Sequence, residues 1–371
     1  MTNQPAYYIG LMSGTSIDAI DAALVTIDNN SIQLIETHNE PIPLAVKETI
    51  RSLSQPGFNA INRLGKLDTQ LGRLFADATL NLVKKSNRQT KDIIAIGSHG
   101  QTIRHNPNDE HPFTIQIGDP NTITAHTRIT TVADFRRRDL AHSGQGAPLT
   151  PAFHQFLLRY LNDPQWVLNI GGIANVTLLN HQKIIAGFDT GPGNMLLDGW
   201  CEQHQQQPFD RNGQWAAGGT VDHTLLDLLL ADPFFKQSPP KSTGREYFNI
   251  NWLNNILKFV KPTPTPQDVQ ATLVELTAQS IADVITSTDN TPTTIHVCGG
   301  GAHNQELIRR LGALCPHYHI QTTDHLNIAP DWIEACAFAW LAKQTLEKQP
   351  LDLQPITGAT PSSILGAIFQ A

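Results

Sequence analysis

Three short stretches of this sequence carry glycine, hydroxyl and carboxylate side chains where a packed strand gains nothing from them. In GLMSGTSIDAIDAAL, Gly10 to Leu24, an apolar run breaks off for Ser13, Gly14, Thr15, Ser16 and Asp18, then turns apolar again. Glycine weakens pleated packing, and a buried Ser or Asp needs a hydrogen-bond partner. Two readings fit. In a tight hairpin turn, Gly14 supplies a positive φ while Thr15, Ser16 or Asp18 bonds the local backbone. In a phosphate cradle, glycine lets the backbone approach, Ser and Thr donate, and a nearby Asp organises Mg2+ through water. The stretch lacks the lysine of GxxxxGKS or GxxxxGKT, which excludes a P-loop.

The second stretch, GFDTGPGNMLLDGW from Gly187 to Trp200, sets Asp189 just after the apolar IIAGF, at a strand end and inside a Gly-Pro-Gly turn. Asp189 could form the turn or cap a helix that starts at Met195. Asn194 is the better cap, which leaves Asp189 spare. A carboxylate fixed beside glycine amides suits a general base for a hydroxyl or water attacking phosphorus or an acetal carbon. The third, TIHVCGGGAHNQELIRRL, reads as strand, triple-glycine turn and helix, so the amides of Gly299, Gly300 and Gly301 suit an anion or the flat edge of a nucleotide.

Weaker signals surround these. Arg136, Arg137 and Arg138 cannot all line one pocket on an extended segment, where consecutive side chains alternate faces, but one of them could grip a carboxylate bidentately. The 15 histidines include His99 with His105 and His317 with His319, spacings that match no metal signature, so a zinc enzyme is rejected.

Regular elements must position these residues. Tyr7 to Leu11, Ala19 to Ile27 and Ile32 to Glu36 read as an antiparallel meander. Apolar residues from Ile61 to Leu82 recur every three or four positions, which predicts one amphipathic helix ending near Lys84-Lys85. IIAIG, Ile93 to Gly97, predicts a buried strand that delivers Ser98 to Thr102 to its carboxyl end, where ligands of α/β sheets collect. TTVADF, Thr130 to Phe135, is a second such break, and Pro148 to Leu161 predicts a helix with Pro151 in its first turn. VLNIGGIANVTLLN, Val167 to Asn180, repeats the opening pattern around Gly171 and Gly172. Two related domains, each offering a glycine turn to a shared cleft, are therefore expected. Pro-rich loops surround Pro239 and Pro264, and Leu273, Leu276, Ile281 and Val284 trace a further long helix.

Bulk properties set the class. A chain of 371 residues with 40% hydrophobic and 16% charged residues reads as folded and large enough for two domains. The net charge of −7, from 26 Lys+Arg against 33 Asp+Glu, offers no basic field for nucleic acid or an anionic membrane. Cys201, Cys298, Cys315 and Cys336 show no metal-type spacing and read as reduced, buried thiols. With no leader-like start and no uninterrupted apolar run of about 18 residues, a cytoplasmic location is expected.

Taken together, GLMSGTSIDAIDAAL, AIGSHGQTIRH, DFRRRDLAHSGQGAPLTPAFH, LNIGGIANVTLL, FDTGPGN, PKSTGREYFN and VCGGGAHN resemble the anhydro-N-acetylmuramic acid kinase family, within the acetate and sugar kinase, Hsc70 and actin superfamily. The resemblance runs from Tyr8 to the TPSSILGAIF tail. It implies an α/β fold of two ribonuclease-H-like domains flanking an ATP cleft, and a kinase that uses ATP and Mg2+. That kinase phosphorylates O6 of 1,6-anhydro-N-acetylmuramate while water opens the bridge. By motif, Gly14, Thr15, Ser16, Ile17, Asp18, Ala19, Ile20 and Asp21 match the family's ATP-phosphate segment, with Asp18 or Asp21 near the metal. Gly171, Gly172 and Asn175 form the facing hairpin, Gly299 to Gly301 the adenosine-side turn, and Asp189 the catalytic base. Thr102, Arg138 and Glu334 become sugar contacts, and a homodimer is implied. His142-Ser143 departs from the small residues of the family at that point. The expected domains are residues 1–130 with about 345–371, and residues 131–344. A nucleotide-binding regulator without catalysis is the rival reading, and the spare Asp189 argues against it.

Overall fold

The computed structural model describes residues 6–14, 16–239, 241–245, 247–288 and 293–371. Thr15, one of the expected phosphate-segment residues, lies outside them. The chain divides into two compact units. The first holds residues 1–157, 326–328 and 332–371, and the second holds 158–325 and 329–331.

The first unit opens with the expected meander, β1 (Tyr7–Ser13), β2 (Ala19–Ile27) and β3 (Ile32–Pro41). Helices α1 (Leu44–Leu53) and α2 (Ala60–Lys85) follow, and α2 buries Leu67, Leu71, Phe75, Ala78 and Leu82 along one face, as its apolar spacing dictates. The next strand, β4 (Ile93–Asn106), runs parallel to β1 and is longer than IIAIG alone predicts. Ser98 to Thr102 therefore lie inside the strand rather than beyond its end, because β5 (Phe113–Ile117) pairs with Gln101 to Asn106 and holds the polar segment extended. Next come α3 (Pro120–Thr127), β6 (Thr131–Ala133), α4 (Arg137–Ala141) and α5 (Thr150–Leu158).

The second unit repeats the plan. Strands β7 (Gln165–Ile170), β8 (Ile173–Asn180) and β9 (Lys183–Pro192) form an antiparallel meander followed by α6 (Asn194–Gln205). Short helices α7 (Gln214–Ala217), α8 (His223–Leu230) and α9 (Ile250–Leu257) precede the long α10 (Pro266–Thr288). Then β10 (Thr294–Cys298), α11 (Gln305–Leu314) and β11 (His319–Thr322) close the sheet. The order β3-β2-β1-β4-β6 in one unit matches β9-β8-β7-β10-β11 in the other, three antiparallel strands and then two parallel ones. The internal repeat suggested by the two glycine hairpins is therefore a repeat of topology.

The chain returns to the first unit with α12 (Ile333–Leu346), α13 (Gln354–Thr357) and β12 (Ala367–Phe369), which pairs with β6. Helix α12 is apolar nearly all round, and it packs on β1, β2 and β4. Gly10 and Gly97 permit this. A Cβ at Gly10 would lie 1.7 Å from the Ala335 carbonyl oxygen, and one at Gly97 would lie 1.9 Å from that of Phe338. The compact units thus part near residues 157 and 332 rather than 130 and 344, since β6 extends the first sheet and α12 covers it. All four cysteines are buried thiols. No helix among the described residues is long and apolar enough to cross a membrane.

Candidate active site

The second unit gathers its expected site residues at the carboxyl ends of β7 and β10. The Gly171-Gly172 turn joins β7 to β8, and its carbonyls are taken by the start of α6. Gly171 O accepts from Asn194 N at 2.8 Å, and Gly172 O accepts from Gly193 N at 2.9 Å and Met195 N at 3.2 Å. Gly193 is thus the cap, and Asn194 is the first residue of α6, where its Nδ2 donates to Ile170 O at 3.1 Å. The expected Asn194 cap does not form, because the hairpin turn itself satisfies the helix start.

The triple glycine has mixed causes. Gly299 has φ 78°, and a Cβ on it would press on Asn169 and Ile170, while one on Gly301 would lie 2.3 Å from Ile170 Cγ2. Gly300 is the open member, with nothing closer than Asn194 Nδ2 at 3.8 Å.

Asp189 lies within β9 rather than beyond it, opposite Asn175 of β8. Directly opposed residues share a face of the sheet, about 4.5–5.5 Å apart at Cβ. Residues 241–243 run alongside. Asp189 N donates to Lys241 O at 3.1 Å, and Thr243 N donates to Asp189 Oδ2 at 2.9 Å. Asp189 is 9% exposed. Lys241 is buried, its ammonium donating to Phe234 O at 3.2 Å and lying 4.6 Å over the Phe234 ring. Burial lowers the Lys241 pKa, and the Asp189 charge opposes that shift. Asn175 Oδ1 and Thr243 Oγ1 are both buried with no hydrogen-bond partner among the described residues. Buried polar atoms are nearly always paired, so this neighbourhood is built to receive a small polar group.

In the first unit, the turn from Gly14 to Asp18 is open. A Cβ on Gly14 would meet nothing within 4 Å. The positive φ expected at Gly14 falls instead on Ile17, at 61°, whose N–H donates to Gly14 O at 3.2 Å. A β-branched residue there is strained, and the core that buries the Ile17 side chain holds it in place. Ser16 and Asp18 are exposed, and Asp18 pairs with Lys47 at 3.2 Å. Ala19, Ile20 and Asp21 begin β2, with Ile20 in the core and Asp21 accepting from Asn39 Nδ2 at 2.7 Å. Asp18, at the turn, and Asp21, in β2, each offer a carboxylate, the donor type Mg2+ takes in ones or twos while keeping water on its other positions.

Thr102, Arg138 and Glu334 all belong to the first unit, on β4, α4 and the first turn of α12. Thr102 sits where β4 shifts register, its Oγ1 accepting from Gln116 Nε2 at 3.1 Å. The arginine run is helical from Arg137 rather than extended, so its three side chains part around a helix. Arg136 donates to His99 Nε2 through Nε at 3.0 Å and to Gly146 O at 2.8 Å, and Arg137 pairs with Asp134. Arg138 is exposed. Because arginine only donates, His99 carries its proton on Nδ1, which donates to Gly100 O at 2.8 Å. Burial and Arg136 hold the His99 pKa well below the usual imidazole range.

Sequence reasoning missed three supporting groups: Thr243, the Arg136–His99 pair, and Asp139. Asp139 is fully buried and accepts from Gly146 N at 2.6 Å and Thr357 Oγ1 at 2.7 Å. The signal for the last was DLAHSGQG, where Gly144 and Gly146, five and seven residues beyond the acid, allow the loop to wrap it. A Cβ on Gly144 would lie 2.2 Å from Asp139 Oδ2. A surface hollow of about 830 Å³ runs along α2 between Asn59 and Arg73, and none of the expected site residues lines it.

The family model for anhydro-N-acetylmuramic acid kinase matches residues 6–371. An anhydro-N-acetylmuramic acid kinase of Coxiella burnetii (strain Dugway 5J108-111) is 55% identical over 364 residues, 98% of this chain and 97% of that protein. One of Shewanella sp. (strain ANA-3) is 50% identical over 367 residues, 99% of each. Among solved structures, a ROK family glucokinase from Streptomyces griseus overlays with a TM-score of 0.40 at 14% identity, covering 91% of this chain and 100% of that one, a likeness that carries no argument. On the family match and the two relatives, the chain belongs to the anhydro-N-acetylmuramic acid kinase family.

Proposed function

We infer that the protein is an ATP-dependent kinase that hydrolytically opens 1,6-anhydro-N-acetylmuramic acid and phosphorylates its O6, giving N-acetylmuramic acid 6-phosphate. This is a step of cell-wall murein recycling and amino-sugar catabolism, and we assign it to the cytoplasm and to a homodimer. Family membership supports the kinase reaction. The observation that carries the hydrolytic half is Asp189, a buried carboxylate fixed by Thr243 N, with the Thr243 and Asn175 oxygens beside it unpartnered among the described residues.

In this reading Asp189 accepts a proton from the water that attacks the anomeric carbon. The bridge C–O bond breaks with its electron pair on O6, which bonds to the γ-phosphorus of ATP as the bond to the β–γ bridging oxygen breaks and ADP leaves, and the proton passes from Asp189 to solvent. Arg138, exposed on α4, binds the lactyl carboxylate; its planar guanidinium matches that group bidentately. Thr102 and Glu334 contact the sugar. We assign Gly14 to Asp21 and, separately, Gly171, Gly172 and Asn175 to the ATP phosphates, and Gly299 to Gly301 to the adenosine. Asp18 or Asp21 would hold Mg2+, which offsets phosphate charge when bound.

The test is mass spectrometry after incubation with Mg-ATP and the anhydro sugar in 18O water. A product carrying one phosphate and one heavy oxygen supports coupled opening. A phosphorylated sugar with its bridge intact refutes it.

A further inference from the structure

We propose that the Thr243 hydroxyl is a catalytic group that holds and orients the water deprotonated by Asp189. The inference rests on the reading of Asp189 as the base and adds a residue to it. Residues 241–243 lie against β9, the edge strand of its sheet, with contacts on both sides of Thr243's role. Asp189 N donates to Lys241 O, and Thr243 N donates to Asp189 Oδ2. The segment is anchored below by Lys241, whose ammonium is buried against Phe234. The backbone of Thr243 therefore fixes the carboxylate, which leaves its side chain for another purpose.

That side chain ends in a buried oxygen with no partner among the described residues. Asn175 Oδ1, on the strand directly opposite Asp189, is in the same condition. Several buried threonines of this chain satisfy their hydroxyls locally, Thr277 Oγ1 donating to Pro192 O at 3.1 Å and Thr345 Oγ1 to Leu341 O at 2.8 Å, whereas Thr323 Oγ1 shares the condition of Thr243 but lies away from Asp189 in the sheet order, after β11. A water beside Asp189 would find the carboxylate, the Thr243 hydroxyl and the Asn175 amide, within the two to four polar partners that hold an ordered water. One water O–H bond then breaks toward Asp189, the water oxygen bonds to the anomeric carbon, and the bridge pair leaves on O6.

Thr243→Val keeps the shape and the backbone N–H while removing the hydroxyl, and Thr243→Ser restores it. The expected result is a kcat about 100-fold lower for Thr243→Val with KM for ATP and sugar within about threefold, near wild-type kcat for Thr243→Ser, and a larger solvent deuterium isotope effect on kcat for the valine variant. Wild-type kcat in Thr243→Val overturns the proposal. So does a loss expressed in KM for ATP with the isotope effect unchanged, which would make the hydroxyl a phosphate contact. If the valine variant does not fold, Thr243→Ala read against Thr243→Ser decides by the same criteria. Failure of the parent reading is separate: it would appear as an active Asp189→Asn or an unlabelled product in 18O water.

Discussion

The glycines of the turn between β7 and β8 are engaged by their own unit, whereas Gly14, after β1, has open space around it. Both Gly171 and Gly172 give their carbonyls to the start of α6, and Gly299 and Gly301 pack on Asn169 and Ile170 at the end of β7. Gly14, by contrast, has open space around it, and the strained residue of its turn is Ile17. The first hairpin does use a glycine for packing, but that glycine is Gly10, four residues earlier, under α12. Glycines of similar appearance in the sequence thus answer two demands: close approach of another element, or an uncovered backbone. The carboxylates divide the same way. Asp189 is buried and fixed, and Asp18 is exposed, its carboxylate paired with Lys47.

The largest effect expected from this contrast is on turnover. Asp189→Asn should lower kcat by about 10²–10⁴-fold, the range for a lost general base, while leaving thermal unfolding nearly unchanged, since asparagine keeps an oxygen for Thr243 N. Asp18→Asn should instead raise the Mg2+ concentration needed for half-maximal rate and keep most of kcat at saturating Mg2+. Steady-state rates across a Mg2+ titration read both. Exchange of the two phenotypes would invert the comparison, and near wild-type turnover for Asp189→Asn would remove the base.

Acid should separate the units next. His99 and His105 in the first unit and His296 in the second are held neutral mainly by burial, with His105 and His296 each lowered to about 4. For a lowered histidine, the unfolded chain takes up its proton first as pH falls through about 6.5. Stability is therefore full above that value and declines toward pH 4 by about 1.4 kcal/mol per pH unit for each such histidine. The first unit carries two and should lose stability about twice as steeply as the second. Urea unfolding between pH 7 and 5, with amide hydrogen exchange assigning the unit, measures this; equal slopes would show that one of His99 and His105 is protonated in the fold.

Much of this was legible in the chain. The 3.5-residue apolar rhythm of α2, the two glycine hairpins and the strand–glycine–helix order at Thr294 to Leu311 each became the element expected. Periodicity failed where a distant partner decided the conformation. Ser98 to Thr102 is strand because β1 pairs with Ser98 and Gln101 and β5 with Gln101 and Thr102, and α12 has no amphipathic face to detect because it is buried nearly all round. The arginine run curls into α4 although an extended segment reads as well locally. Within the candidate site, Asp189 stood out in the sequence as an acid among glycines next to an apolar run, but Thr243 did not. Its role comes from a hydrogen bond spanning 54 residues, which no local pattern encodes.

The smallest effects test the two glycines of the first hairpin against each other. Gly10→Ala forces a methyl to 1.7 Å from Ala335 O and 2.8 Å from Ala339 N, both backbone atoms of α12, so the helix must lift from the sheet. Overpacking of this kind costs about 1–3 kcal/mol, read as a lower urea midpoint. Gly14→Ala meets nothing and sits outside the positive-φ region, so its stability should stay within about 0.5 kcal/mol of the parent. Its effect should fall on KM for ATP, because a methyl on an open turn obstructs only what approaches from outside. A stable Gly10→Ala would mean that α12 does not dock closely on β1. A Gly14→Ala variant with unchanged KM for ATP would mean that the first turn, like the second, serves its own unit, and the distinction between the hairpins would vanish.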